Sequence, residues 1–177
     1  MAGERLTDKT AMDSQAGSGD LLMVVDVSDT TGSAEGTSKK MDFKYVIQTD
    51  KFSLSNAEIL ALDTTPKTLV GALSGYMVTP ISCTILVTYA ASTESSNNNL
   101  YLGYDASQDA AYWDYTSRFM GAVTTDNTWV YGGGTLPARG ALSESILNKP
   151  FVMWSNGAFN GGWSCDVYLT YAYTKVL

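Results

Sequence analysis

Residues 81–89 read Ile-Ser-Cys-Thr-Ile-Leu-Val-Thr-Tyr, a stretch in which apolar and polar side chains alternate. The apolar phase is shared by Ile81, Cys83, Ile85, Val87 and Tyr89. On the other phase Leu86 is the only apolar residue. A repeat of two residues is typical of an antiparallel strand with one buried face. The stretch therefore predicts a β-strand that packs one face on a core.

Similar patterns recur towards the C-terminus. Leu100, Leu102 and Tyr104 occupy alternate positions, as do the apolar residues of 163–173. Residues 151–154 (Phe-Val-Met-Trp) form an apolar run of strand length, and Asn-Gly and Gly-Gly steps mark turns. Many short strands with almost no helix predict an all-β fold, for which a jelly-roll-like antiparallel β-sandwich over residues 55–177 fits best.

One short helix is expected at the start of this domain. Residues 55–58 (Ser-Asn-Ala-Glu) match a capping box, in which the serine caps the helix and the glutamate reaches back to the serine amide. The helix would run only a turn or two, because Thr65-Pro66 favours extended chain soon afterwards.

Residues 1–54 have a different composition and predict an extended N-terminal arm. Residues 21–27 and 41–47 are strand candidates, with residues 36–40 (Gly-Thr-Ser-Lys-Lys) as the turn between them. The arm has too few apolar side chains for a core, and strands without a core need a partner surface. The candidate docking residues are Leu21, Leu22, Val24, Val25, Val27, Lys39, Lys40, Met41 and Phe43.

The composition argues against several classes of function. The 177 residues carry a net charge of −7, and the single basic pair, Lys39-Lys40, makes no patch, so nucleic acid is not an expected partner. The chain has no histidine, and its cysteines, Cys83 and Cys165, lie far apart, so we expect no metal site and no cofactor. We interpret both cysteines as small buried hydrophobic residues. A disulfide between them is the alternative if their strands are neighbours.

No stretch approaches the roughly 20 apolar residues of a membrane span, so a membrane is not an expected partner. The polar N-terminus lacks the apolar segment of a signal peptide. We therefore expect a protein made and kept in a cytosol, or packaged from one.

The arm and the domain together resemble a group of tailed-bacteriophage virion proteins. In the arm the similarity lies in residues 19–27 (Gly-Asp-Leu-Leu-Met-Val-Val-Asp-Val) and 36–41 (Gly-Thr-Ser-Lys-Lys-Met). In the domain it begins at residues 53–60 (Ser-Leu-Ser-Asn-Ala-Glu-Ile-Leu) and includes Thr65-Pro66 and Asn148-Lys149-Pro150. A Gly-Gly turn before a final tyrosine-rich strand completes the pattern, which is structural and contains no catalytic motif.

This resemblance implies a non-enzymatic virion component whose jelly-roll domain commonly trimerises. Such proteins serve as head decoration (cement) proteins, head fibres, or tail-fibre and spike modules. The chain has neither the heptads nor the repeats of a fibre shaft, which favours decoration. The expected partner is the major capsid protein of the same virus. The expected location is the capsid surface of the virion, after assembly in the host cytoplasm.

Three alternatives compete with decoration. A tail-fibre, spike or head-fibre module would bind host glycans through aromatic side chains, or the same residues would line a trimer contact: Tyr112, Trp113, Tyr115 and Trp129. In that reading Asn97, Asn98, Asn99 and Asp105 supply hydrogen bonds.

A glycosidase would use paired carboxylates among Asp105, Asp109 and Asp114, which lie near aromatic residues. A calcium site in the arm would use Asp26, Asp29 and Glu35, although their spacing matches no known calcium loop.

Overall fold

The computed structural model describes residues 21–32, 34, 36–42, 46–90, 92–104, 106, 111–115 and 146–176. The chain divides into two compact units, Met1–Val46 and Ile47–Leu177. In the first unit, strands β1 (Leu21–Asp26) and β2 (Thr37–Asp42) pair antiparallel as a two-stranded hairpin.

The described part of the second unit contains one helix and seven strands. They are β3 (Gln48–Leu54), α1 (Asn56–Leu60), β4 (Lys67–Val70), β5 (Tyr76–Tyr89), β6 (Leu100–Tyr104), β7 (Ala111–Tyr115), β8 (Phe151–Ser155) and β9 (Trp163–Lys175). One sheet has the order β3-β9-β5 and the other the order β4-β8-β6-β7, and all the pairings are antiparallel.

One large buried apolar cluster joins the two sheets, and a second, smaller cluster contains Tyr101, Ala111, Val152 and Trp154. The inward residues of β5 and β9, such as Ile85 and Val167, belong to the same buried cluster as Leu102 and Met153 of β6 and β8. Burial alternates along β9, as the period of two predicts. The expectation of an all-β antiparallel sandwich is therefore confirmed.

Strand β5 contains a β-bulge that the sequence pattern does not reveal. The register with β9 shifts between Pro80 and Ser82, and Ile81 at the bulge is exposed. Proline lacks an N–H for the ladder, so a bulge is one of the few places where a strand tolerates it. Val78 is buried before the bulge and Cys83 after it, so the assignment of Ile81 to the core face is wrong.

The domain begins at residue 47 rather than at the predicted residue 55. Strand β3, which the sequence pattern assigns to the arm, pairs along its whole length with β9, and Leu54 is buried in the core. The Tyr171 hydroxyl lies 2.7 Å from Asp50 Oδ2 and fastens the two strands through their side chains as well.

The predicted capping box is present at α1. The Ser55 amide donates to Glu58 Oε2 at 2.9 Å, and the Glu58 amide donates to Ser55 Oγ. A hydrogen bond from Lys67, together with those from Ser55, lowers the pKa of Glu58 to about 2. The Asn56 amide group donates to the carbonyls of Gly161 and Trp163, which holds the helix against the start of β9.

Both cysteines are buried in the core, and neither forms a disulfide. Cys83 and Cys165 lie on paired strands, but Cys83 is opposite Leu169 and Cys165 is opposite Val87. Four residues of strand separate the two pairs, roughly 13 Å at 3.3–3.4 Å per residue, well beyond disulfide reach.

We predict that neither thiol reacts with a thiol reagent in the native protein, and that both react after unfolding. Cys83 is fully buried, Cys165 is 4% exposed, and burial raises the pKa of Cys165 to about 12. The measurement is a colorimetric thiol titration with and without denaturant. Fast reaction of either cysteine in native buffer would contradict the packing described.

Candidate docking site

The hairpin of β1 and β2 exposes a row of apolar side chains. Leu21, Met23, Val25 and Val27 are 55%, 70%, 58% and 75% exposed. Successive side chains of a strand point to opposite faces, so Leu21, Met23 and Val25 share one face of β1, and we call these three residues the apolar stripe. A contiguous exposed apolar surface of this kind usually marks an interaction site.

The opposite face of the hairpin is less exposed. Leu22 and Val24 of β1 and Met41 of β2 are each half-buried, and Leu22 is opposite Met41. A groove of about 380 Å³ runs along the hairpin, lined by Leu21, Leu22, Met23, Ser38, Lys39 and Lys40. The predicted docking residues of β1 and β2 therefore come together on one small element.

The loop of the hairpin is organised by a lysine between two aspartates. Lys39 Nζ lies 2.8 Å from Asp26 Oδ2 and 2.8 Å from Asp29 Oδ2. This contact, with hydrogen bonds from Ser28, lowers the pKa of Asp26 to about 2. The pKa of Asp29 is also lowered, by Lys39 first and then by Thr31, and the pKa of Lys39 is raised.

This ion pair bears on two of the sequence hypotheses. The cation held by Asp26 and Asp29 is the Lys39 ammonium, and Glu35 lies outside the described residues. No group of metal-binding side chains occurs in the part of the chain that the structure describes. Lys39 is thus engaged within the hairpin, whereas Lys40 is exposed on the face of the apolar stripe, opposite Met23.

The predicted turn and the second predicted strand of the arm are wrong in position. Residues 37–42 form β2, so the two strands are connected by residues 27–36 rather than by residues 36–40. Runs rich in Thr, Ser and Lys have low strand propensity by themselves, and here the pairing with β1 overrides it. Phe43, also a predicted docking residue, lies outside the described residues.

Of the aromatic residues proposed for a glycan or trimer contact, the two whose side chains are described, Tyr112 and Trp113, pack against the core. Trp113 is 3% exposed and packs edge-on against Phe151 in the core, with the ring centres 5.9 Å apart. Tyr112 packs partly buried against the same core. The side chain of Tyr115 and all of Trp129 lie outside the described residues. Trp113 therefore offers no face to a sugar ring.

The carboxylates proposed for catalysis cannot be placed together. Asp105 and Asp109 lie outside the described residues, and so does the side chain of Asp114. Two of the asparagines proposed for glycan binding use their side chains within the domain: Asn98 Nδ2 donates to the Ala158 carbonyl at 2.7 Å, and Asn99 Nδ2 donates to the Tyr101 hydroxyl at 3.3 Å.

A buried carboxylate holds this end of the sandwich. Glu94 is 3% exposed, and its Oε2 accepts from the Gly161 amide at 2.8 Å and from Trp163 Nε1 at 3.2 Å. Its Oε1 accepts from the Ser96 amide at 2.9 Å, and the Asn160 amide also donates to the carboxylate. No cation pairs with Glu94 within the described residues.

The hydrogen bonds explain why this carboxylate is ionised. Burial would raise the pKa of Glu94, but the bonds from Ser96, Trp163 and Gly161 outweigh burial, and the pKa is lowered. The role is structural, since the donors come from the two loops that Glu94 joins and from Trp163 at the start of β9. Sequence reasoning did not single out Glu94, because an isolated acid in a Ser- and Asn-rich loop has no diagnostic spacing.

No protein-family model, curated protein or solved structure matches this chain. Within the described residues, no helix has the length and apolar character needed to cross a membrane. Among the described candidates, the hairpin is the one that combines exposed apolar side chains with a defined geometry.

We predict that Gly36→Ala disrupts the hairpin and leaves the domain intact. Gly36 has a φ of +120°, and an added Cβ would lie 2.8 Å from the Asp26 carbonyl oxygen. Strain of this kind costs about 1–3 kcal/mol, which is large compared with the folding stability of a two-stranded hairpin. Limited proteolysis should show faster cleavage within residues 21–42 and an unchanged melting temperature of the domain.

The matched control is Gly32→Ala. A Cβ at Gly32 would meet the Thr37 side chain at 3.1 Å, with no backbone atom among its nearest neighbours. This variant should be cleaved more slowly than Gly36→Ala. Equal cleavage of the two variants would show that the backbone conformation at Gly36 is unimportant.

We predict that Glu94→Gln destabilises the domain by about 2–3 kcal/mol, because charge-assisted hydrogen bonds are lost and buried N–H groups lose an acceptor. The measurement is urea unfolding at neutral pH. A folded-state pKa below the ordinary 4.5 gives stability that is present above pH 4.5 and is lost as the pH falls through the folded pKa. The variant should therefore lose less stability in acid than the parent protein.

Asp63→Asn makes the same chemical change at an exposed position and should alter stability by less than about 0.5 kcal/mol. If Glu94→Gln changed the free energy of unfolding as little as this control does, the hydrogen bonds of Glu94 would not be what holds the loops together.

Proposed function

We propose that the protein is a capsid decoration protein of a tailed bacteriophage, which docks on the assembled head through its hairpin. The observation that carries the proposal is the apolar stripe, displayed on a compact unit separate from the domain. The partner is the major capsid protein of the same virus, and the protein acts on the capsid surface without catalysis.

The energetic role of such a protein follows from linkage. A ligand that binds only the assembled shell adds its binding free energy to the stability of the shell. A two-stranded hairpin is marginal by itself, so its ordering is completed when a partner surface covers its apolar face. Docking then couples the order of the hairpin to the presence of the assembled head.

We further propose that the sandwich is a jelly roll that assembles as a homotrimer. The strand order supports the first part: β3 and β4, at the start of the domain, pair with β9 and β8 at its end, as in a folded-back chain wrapped into two sheets. The trimer is consistent with a charged fraction of 16% and with eleven tyrosines, since interfaces are poor in charge and rich in aromatic residues.

The experiment is deletion of residues 1–46, followed by binding to purified heads that lack this protein. We expect the truncated protein to remain folded and trimeric by light scattering, because the core lies in residues 47–177, and to lose sedimentation with heads. Normal head binding by the truncated protein would contradict the docking role of the hairpin. A monomeric domain would contradict the trimer alone.

A point-variant version keeps the chain whole. Met23→Ser with Val25→Ser removes exposed apolar surface from the hairpin and should weaken head binding by at least about tenfold. Ile81→Ser with Tyr168→Ser removes exposed apolar surface from the domain and should leave head binding unchanged.

A further inference from the structure

The two edges of the hairpin differ in charge. Strand β1 is uncharged from Leu21 to Val25, whereas β2 carries Lys39 and Lys40. Lysines on an edge strand are a common means of preventing strand addition, and β1 has none. Among the described residues β1 pairs with β2 alone, so its outer edge is the one suited to accept another strand.

We propose that β1 pairs antiparallel with β1 of a second copy of this chain, about a two-fold axis at Met23. In this register Met23 is opposite Met23 of the copy, Leu21 is opposite Val25, and Leu22 is opposite Val24. The run Leu-Leu-Met-Val-Val is therefore apolar against apolar at every one of its pairs. The result is a four-stranded sheet with the order β2-β1-β1-β2.

Pairing of this kind would increase the folding stability of the hairpin. Two strands are marginal in water, whereas three or more strands with an apolar face are stable. Opposed residues of a sheet point to the same side, so the apolar stripes of the two copies merge into one face. The five apolar pairs are flanked by acidic residues, because the same register places Asp26 opposite Asp20 of the copy. Lys39 offsets the charge of Asp26 within each hairpin and so limits the repulsion at the two ends.

This inference goes beyond the proposed function, because it concerns a contact between copies and does not require a capsid. Hairpins from two neighbouring protomers or trimers would be joined strand to strand. In an isologous interface the same surface is used by both copies. Each residue of β1 must therefore pack well against the β1 residue opposite it in the second copy.

The register makes the contact testable with single cysteines in the full-length protein. Met23→Cys should form a covalent dimer under mild oxidation or with a short thiol-to-thiol reagent, because residue 23 meets itself. Leu21→Cys and Val25→Cys should each cross-link poorly alone and well as a mixture, because residue 21 meets residue 25. Cys83 and Cys165 are buried and should not compete.

A charge swap provides the control. Met23→Lys with Lys40→Met keeps the net charge and the cross-strand pair of the hairpin, but places two lysines against each other at the two-fold axis. In this background, cross-linking of the mixed Leu21→Cys and Val25→Cys proteins should fall at least about tenfold, since like charges directly opposite oppose pairing. Lys40→Met alone should leave the cross-linking intact.

The outcomes are distinct. Cross-linking of Met23→Cys no greater than that of Leu21→Cys alone would overturn the proposed register. Absence of cross-linking at every position, with head binding retained, would overturn the pairing between copies and leave the docking role intact. Specific cross-linking with no binding to heads would support this pairing and contradict the decoration role instead.

Discussion

Strand β9 is the element on which the domain depends, because it pairs with two neighbours at once. Its 13 residues form a ladder with β5 on one side and with β3 on the other. Cys165, Val167 and Leu169 alternate inwards and join the core that both sheets share. Glu94 fixes the entry to this strand by accepting hydrogen bonds from Gly161 and Trp163. Backbone pairing and apolar burial are therefore satisfied together around β9, within the described part of the domain.

The hairpin meets neither requirement by itself. It has two strands, a row of exposed apolar side chains, and an outer edge on β1 without charge. Its loop, in contrast, is held by Lys39 between Asp26 and Asp29, whereas the two strands become fully ordered when a partner covers them. An element with a defined shape and unsatisfied surface is suited to docking, and this contrast with the domain is the physical basis of the proposed function.

The sequence predicts those strands in which the alternating apolar residues are also the buried ones. Alternation located β9 and most of β5, and the capping box located α1. The bulge at Pro80 changes which residues of β5 face the core, from even-numbered positions before it to odd-numbered positions after it. The alternation of apolar residues in the sequence does not reveal this change. Strand β3 was missed as part of the domain because its sequence, Gln-Thr-Asp-Lys-Phe-Ser-Leu, is largely polar; it lies at a sheet edge. At the site, β1 was predicted well, whereas β2 depends on pairing with β1 and was displaced.

The most direct test of the docking role is hydrogen–deuterium exchange of the amides of residues 21–25, measured free and bound to heads. Unpaired edge amides exchange quickly, and addition of a strand or burial of the apolar face protects them. At a dilution at which free copies do not pair through β1, we expect strong protection of these residues on binding to heads, with little change in β5 and β9. Binding to heads with unchanged exchange in residues 21–25 would contradict it.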